Sequence, residues 1–307
     1  MADFGATNAR LAITEDCKSL VNKASYKMSE FTSLKHLLNH YIDKANISEF
    51  KIAGILGVAA PVISNEVNFV NNNFSFGIKE IESNFFEEGL KVLNDVQMQI
   101  HALNNYPEDK LINIGNKIDS SYGPKILVVP GTGLGLSILI NEKSIATEGG
   151  HMNIVDSNNE IINLLEDFKR KKERLATFED LISGKGISYI YGFLSKNFNH
   201  NLSNYEIIKN AKNDDNCYNT KKTLLKILAI FLRYSALTIG SRGGVFLSGS
   251  LVTSLLEDVN LDEFRKNFEK SRTMNDFLTR IPLYLIREDN LGFLGALEVC
   301  RDEKNKV

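Results

Sequence analysis

Three cysteines in 307 residues leave little room for thiolate chemistry. Cys17, Cys217 and Cys300 lie far apart and form no CxxC pair. The spacing therefore predicts neither a zinc site nor a disulfide framework, and it fits a reducing cytoplasm. Net charge is equally scarce: 36 Lys plus Arg against 38 Asp plus Glu leaves −2. That removes the electrostatic case for nucleic acid or an anionic membrane as a partner. The basic run KRKKER at 169–174 reads as a solvated helix face. No long uninterrupted apolar run exists either. The most apolar stretch, LLKILAIFLRYSALTIG, is broken by Arg233 and flanked by Lys221, Lys222 and Arg242. It reads as a buried helix, not a bilayer span. The first residues lack a basic region followed by an apolar stretch, so no signal peptide is expected.

What is present is the balance of a soluble globular protein, 43% hydrophobic and 24% charged. The length suits one large domain or two ordinary ones. Strand and helix signals alternate. ARLAI is a short strand candidate. FTSLKHLLNHYIDKA places Leu34, Leu37, Leu38 and Tyr41 at helical spacing. KIAGILGVAAPV reads as a buried strand ended by Pro61. VNFVNNNFSF alternates like a strand and runs into an Asn cluster. GLKVLND is an apolar strand that stops at Asn94–Asp95, and VQMQIHALNN after it looks helical. KILVVPGTGLGLSILI reads strand, glycine turn, strand, and INEKSIATEGGH is an outgoing strand ending in two glycines. Residues 160–240 are mostly helical. GGVFLSGSLV is a further strand with a glycine turn, and IPLYLIREDNLGFLGALEVC closes with strand, turn and helix. The alternation predicts an α/β architecture. Glycine turns at 5–7, 131–135 and 249 suggest one ligand gripped from two sides.

Each motif has a plain structural reading beside the chemical one. PGTGLG (130–135) can present backbone N–H groups and the Thr132 hydroxyl to an anion, or be a glycine hairpin with no ligand. It is not a Walker loop, since no Lys-Ser/Thr follows, nor a dinucleotide GxGxxG, since a strand follows. LND (93–95) puts a carboxylate just past a strand end, or caps a helix starting at Val96 with Asp95. TEGGH (147–151) offers Glu148 and His151 around two glycines that open room for a polar ligand, or is a turn with an incidental His. It is not HExxH, and metal binding is the weaker reading. Glu179 in FEDLISGKG is a ligand contact or a helix N-terminal acid. GGVFLSGS (243–250) receives an adenosine or is an ordinary turn. His36 and His40, i,i+4 on a helix, read as a surface pair.

The motifs become specific in their order: DFGATNAR, AAPV, LND, PGTGLG, EGGH, FEDLISG, GGVFLSG, DNLGFLGA. That series, from Asp3 to about Leu297, resembles the bacterial-type glucokinases, hexokinase-like members of the actin/Hsp70-like ATPase superfamily. The CxCGxxGCxE zinc motif of the related repressor/ORF/kinase branch is not in the chain. The resemblance implies a two-domain α/β, ribonuclease H-like fold with mixed sheets flanked by helices and an interdomain cleft. Expected boundaries are 1–104 plus 290–307 for the small domain and 105–289 for the large one. It implies transfer of the γ-phosphoryl of ATP to the 6-hydroxyl of glucose with Mg²⁺, the first step of glycolysis, and a homodimer. By resemblance Asp95 is the catalytic base, and Asn94, Asp95, Glu148, His151 and Glu179 bind the sugar. Asp3, Gly5, Ala6, Thr7 and Asn8, with Arg10, match the first phosphate element. Gly131, Thr132 and Gly133 match the second, and Gly249 the adenosine element. Asp3 would orient Mg²⁺ through water.

Four positions depart from the family pattern. Ala6, Val129 and Ser250 stand where glycine is usual, and Asn153 stands where Asp is usual. Alanine costs roughly 1 kcal/mol or more where φ > 0 is required. These departures fall on the nucleotide side or its supports, so a non-catalytic sugar- or nucleotide-binding regulator on the same fold is the alternative reading. The strand that should precede Asp3 is cut to Met1–Ala2, which predicts thin sheet support there.

Overall fold

The structure is a computed structural model that describes residues 1–5, 7–69, 74–118, 121–156 and 158–305. Ala6, on which the strain argument turned, lies outside the described residues. The chain divides into two compact units. One comprises residues 1–106, 142–146 and 290–307, the other residues 107–141 and 147–289.

The first unit is built on β1 (Ala2–Phe4), β2 (Asn8–Ile13), β3 (Val21–Lys27), β4 (Gly54–Val58), β5 (Glu66–Asn68), β6 (Ser75–Gly77) and β7 (Leu90–Asn94). Five of them form a sheet in the order β3-β2-β1-β4-β7, and β5 pairs with β6. β1 is thus a central strand, antiparallel to β2 and parallel to β4. The expectation of thin support at Asp3 is corrected: Asp3 stands opposite Arg10 on one side and Gly57 on the other. Two neighbouring ladders compensate for β1 being only three residues long.

The helix Leu34–Ala45 buries Leu34, Leu37, Leu38 and Tyr41, as its spacing predicts. It starts where Ser33 accepts from the His36 N–H and stops at Asn46, which takes the left-handed conformation at φ 54. His36 and His40 stay exposed on its outer face, with their rings against Phe31. The closing helix Leu291–Lys304 also belongs to this unit. The buried groups of Ile55, Leu93, Met98, Ala296 and Val299 pack it under the sheet.

The turn after β2 meets that closing helix, and Cys17 is joined there to Cys300 as a disulfide with a Cα–Cα distance of 5.6 Å. This corrects the expectation of no disulfide. The two cysteines are 283 positions apart, and only the tertiary fold brings them together. Cys217 is free and buried.

The second unit carries β8 (Leu111–Asn113), β9 (Lys125–Pro130), β10 (Leu134–Ile140), the Thr147 end of β11 (Lys143–Thr147), β12 (Gly244–Ser248) and β13 (Leu283–Ile286). Here β10, β9, β12, β13 and β8 lie side by side in that order. β12 runs parallel to both β9 and β13. β9 and β12 are buried on both faces, which is why they read as continuous apolar runs. The apolar stretch at 224–240 forms most of the helix Asp215–Ile239, with Leu224, Ile227, Leu228, Phe231 and Leu232 in the core. Gly240 ends it at φ 69. Among the described residues no helix is long and apolar enough to cross a membrane.

Candidate active site

In the first unit the parallel register aligns three strand ends. Phe4 of β1 pairs with Val58 of β4, and Val58 pairs with Asn94 of β7. Gly5, which follows β1, and the pair Asn94–Asp95 therefore leave the sheet at one edge, the carboxyl edge, where ligands of open α/β sheets gather. The Gly5 N–H donates to the Asn8 carbonyl at 2.9 Å. The Met28 N–H donates to the Thr7 carbonyl at 2.9 Å. Thr7 and Asn8 are exposed. Asp3 is half-buried, and burial pushes its carboxyl up to about 6 against the opposing pull of the Arg10 charge.

Asn94 and Asp95 divide the work at the β7 end. The plain reading gave the helix cap to Asp95 and began the helix at Val96. The cap instead belongs to Asn94, whose Oδ1 accepts from the N–H groups of Val96 at 3.0 Å and Gln97 at 3.2 Å. Its Nδ2 donates to the Ala60 carbonyl at 3.4 Å. Asp95 is the first residue of the helix Asp95–Ile100, and its Oδ1 accepts from the Val96 N–H at 2.9 Å. Adjacent Asn and Asp cap equally well by type, so backbone direction decides between them.

In the second unit Pro130–Leu134 is the predicted hairpin, with Leu134 opposite Pro130 and the Gly131 N–H donating to the Gly133 carbonyl at 2.8 Å. Glu179 reaches this hairpin. Its Oε2 accepts from the Leu134 N–H at 2.9 Å, and a Cβ on residue 133 would stand 2.7 Å from that oxygen.

Glu179 is presented by a short, well-anchored helix, Phe178–Leu181. Thr177 and Asp180 cap it reciprocally, and the Arg174 guanidinium grips Asp180 with two bonds of 2.6 and 2.7 Å. The EGGH turn is laced to the same segment. The Phe178 N–H donates to the Met152 carbonyl, the Ile154 N–H donates to the Ala176 carbonyl, both at 3.0 Å, and Asn153 bridges to Thr177.

Glu148 and His151 lie 3.7 Å apart at Oε2 and Nε2, both more than half exposed. Partial burial raises the Glu148 carboxyl; His151 opposes this and the Glu179 charge adds to it. Three of the predicted sugar contacts thus share one locality. The glycines between them serve a packing purpose. A Cβ at Gly149 would stand 2.6 Å from Leu136 Cδ2, and one at Gly150 would collide with the Leu134 carbonyl. They let the turn press onto β10.

Gly249 follows β12 at φ 106, a conformation that demands glycine, with the Pro130 carbonyl 3.2 Å from where a Cβ would stand. The turn at Gly249 and the Gly131–Gly133 turn are therefore neighbours at the carboxyl edge of β9 and β12. Ser250 is the first residue of the helix Ser250–Leu256, and Val129 is an ordinary strand residue opposite Gly135. Neither has a positive φ, so neither departure from glycine strains the backbone.

A glucokinase family model matches residues 1–303. The chain belongs to the glucokinase family. It is accordingly an enzyme that phosphorylates glucose with ATP, and nothing favours the regulator reading. The glucokinase of Colwellia psychrerythraea is 28% identical over 96% of this chain and 94% of its own length. That of Salmonella heidelberg is 29% identical over the same shares. Two solved glucokinases share the fold. One, from an Antarctic psychrotroph, has a TM-score of 0.80 at 22% identity, covering 98% of each chain. The other, from Balamuthia mandrillaris in complex with glucose, has a TM-score of 0.81 at 21% identity, covering 98% of this chain and 92% of that one. The glucokinase fold is the mixed-sheet, actin-like one expected from the motif series.

The residues that the sequence reading missed are supports. Gly292 packs against Asp3, and Thr177, Asp180 and Arg174 anchor the short helix that carries Glu179. Gly292 was within reach, because it lies in the quoted DNLGFLGA series.

Proposed function

We propose that the chain transfers the γ-phosphoryl of ATP to the 6-hydroxyl of glucose with Asp95 as general base. Asp95 takes the hydroxyl proton as the O6–P bond forms and the bond to the leaving ADP oxygen breaks. A base so placed contributes about 10²–10⁴-fold. The observation that carries this reading is the shared carboxyl edge of β1, β4 and β7, where Asp95 and Gly5 emerge together.

Asn94 fixes the start of the Asp95 helix and offers its amide to the sugar. Glu148, His151 and Glu179 take further hydroxyls, and such a set rejects analogues that lack them. Gly5, Thr7 and Asn8 face the phosphates from one element, Gly131, Thr132 and Gly133 from another, and Gly249 receives the adenosine. Backbone N–H groups are suited to the spread negative charge of a phosphoryl in transfer.

Mg²⁺ fits the residues present. Magnesium keeps several waters and needs only one or two carboxylates beside the phosphates, which Asp3 can supply. When bound it neutralises phosphate charge. Two domains at 1–104 plus 290–307 and 105–289, a homodimer and a cytoplasmic setting complete the proposal. A coupled assay with ATP, Mg²⁺ and glucose tests it, with Asp95→Asn as the control. Turnover that persists unchanged in that variant would remove Asp95 from the role.

A further inference from the structure

Glu179 is placed to do more than touch a sugar. A loop of Gly131, Thr132 and Gly133 has wide backbone freedom and needs external anchors to hold one shape. Two anchors come from the segment after Thr177. The Gly184 N–H donates to the Gly131 carbonyl at 3.2 Å, and Glu179 Oε2 accepts from the Leu134 N–H at 2.9 Å. Leu134 faces Pro130, which has no N–H of its own to complete a reciprocal pair. Gly133 leaves the space that the carboxylate fills. The carboxylate is itself held from behind, through the reciprocal cap of Thr177 and Asp180 and the Arg174 grip.

We propose that Glu179 is a positioning residue for the Gly131–Gly133 hairpin, so that one carboxylate links sugar occupancy to nucleotide affinity. Oε2 holds the hairpin, and Oε1 is the oxygen offered to a sugar hydroxyl. The second half rests on the reading of Glu179 as a sugar contact. A hydroxyl bound at Oε1 narrows the rotamers of Glu179 and thereby steadies the Leu134 bond. By linkage, nucleotide and glucose then tighten each other by the same factor.

The test is calorimetry on the full chain with a non-hydrolysable ATP analogue and with glucose, each alone and together. Glu179→Gln retains an oxygen acceptor for the Leu134 N–H and is expected to hold the analogue within about twofold of wild type without glucose. Glu179→Ala leaves that N–H unpaired and is expected to weaken the analogue about tenfold without glucose. Exchange of the Leu134 amide, read by NMR, is expected to quicken in the Ala variant and not in the Gln variant. Gly133→Ala pushes the carboxylate aside, and it is expected to weaken glucose binding even with no nucleotide present.

Equal analogue affinity and equal Leu134 exchange in wild type and Glu179→Ala would overturn the proposal. A different pattern isolates the sugar reading. If both Glu179 variants bind glucose as wild type does while Ala alone weakens the analogue, the hairpin role stands and the sugar contact falls.

Discussion

Asp3 and Gly292 interlock: a Cβ on residue 292 would stand 2.5 Å from Asp3 Oδ2 and 3.0 Å from its Cγ. Glycine in the first turn of the closing helix costs that helix roughly 0.5–1 kcal/mol relative to alanine. The cost is tolerated because the carboxylate occupies the space. Gly292→Ala is therefore expected to displace Asp3 while improving the local helix. With Asp3 proposed at the phosphate end, a displacement of about 1 Å can lose roughly 100-fold in rate. Steady-state kinetics should show a fall in kcat/KM for MgATP on the order of 10–100-fold, with glucose binding in the absence of nucleotide unchanged. A wild-type kcat/KM for MgATP in this variant would detach Gly292 from the site.

Asp3 also makes stability depend on pH in a definite direction. Burial raises its carboxyl from the ordinary 3.8 to about 6, with Arg10 pulling the other way. Between those values the folded chain holds a proton that the unfolded chain has released. Stability therefore falls as pH rises from about 4 to about 6, by up to about 3 kcal/mol. Asp3→Asn removes the ionisable group and keeps the shape. Thermal melts in metal-free buffer should find the variant more stable than wild type at pH 8 and equal to it near pH 4, with MgATP-dependent turnover lost. Parallel melting profiles across that range would contradict the assignment of the pH effect to Asp3.

The legible features were those with a periodic or terminal signal. The helix at 34–45 announced itself through four apolar positions, and the strand before Asn94 through an apolar run stopped by Asn-Asp. The strand–glycine–strand of 125–140 could hardly be anything but a hairpin. Other features had no such signal. β1 is three residues long, too short for any period, and β3 is a largely exposed edge strand with no buried face to mark. The Asn94 cap depended on backbone direction at two adjacent capping residues. The packing of Gly149 and Gly150 on β10 is a three-dimensional contact, which no spacing in EGGH announces. The candidate site residues were named through the order of their motifs along the chain. Their supports, Arg174 and Asp180, were hidden because a charged pair six residues apart looks like surface decoration.

Arg174 tests whether such decoration matters. Burial would raise the Asp180 carboxyl, but the Arg174 guanidinium and the Thr177 N–H and hydroxyl outweigh it and leave the group below its ordinary range. A lowered carboxylate contributes stability above about pH 4 and loses it as pH falls through the folded value. Arg174→Ala is expected to cost about 1 kcal/mol at pH 7, through a loosened cap and a partly exposed ion pair. Urea unfolding should show that difference shrinking toward pH 3. The glucose KM should rise while the MgATP KM moves less, because the capped turn presents Glu179. An unchanged unfolding midpoint at pH 7 would mean that the cap stands without its arginine.

The Cys17–Cys300 bond gives the last prediction, because it ties the turn after β2 to the closing helix on which Gly292 packs against Asp3. Protein purified without reductant and then unfolded should titrate a single thiol, Cys217, and three after reduction. Closing so long a loop restricts the unfolded chain, so reduction is expected to cost about 2–4 kcal/mol of stability. Activity should survive it. Arg301 Nε donates to the Cys17 carbonyl and Lys304 Nζ to the Glu15 carbonyl, both at 3.1 Å, so the helix end stays moored to the turn without the covalent bond. Cys17→Ser should unfold like the reduced wild type and be indifferent to reductant. Under reducing conditions the pair is then a dithiol held at bonding distance, and the polar moorings carry the helix. Three reactive thiols in unfolded protein that has been incubated with oxidised glutathione would show that the pair does not close.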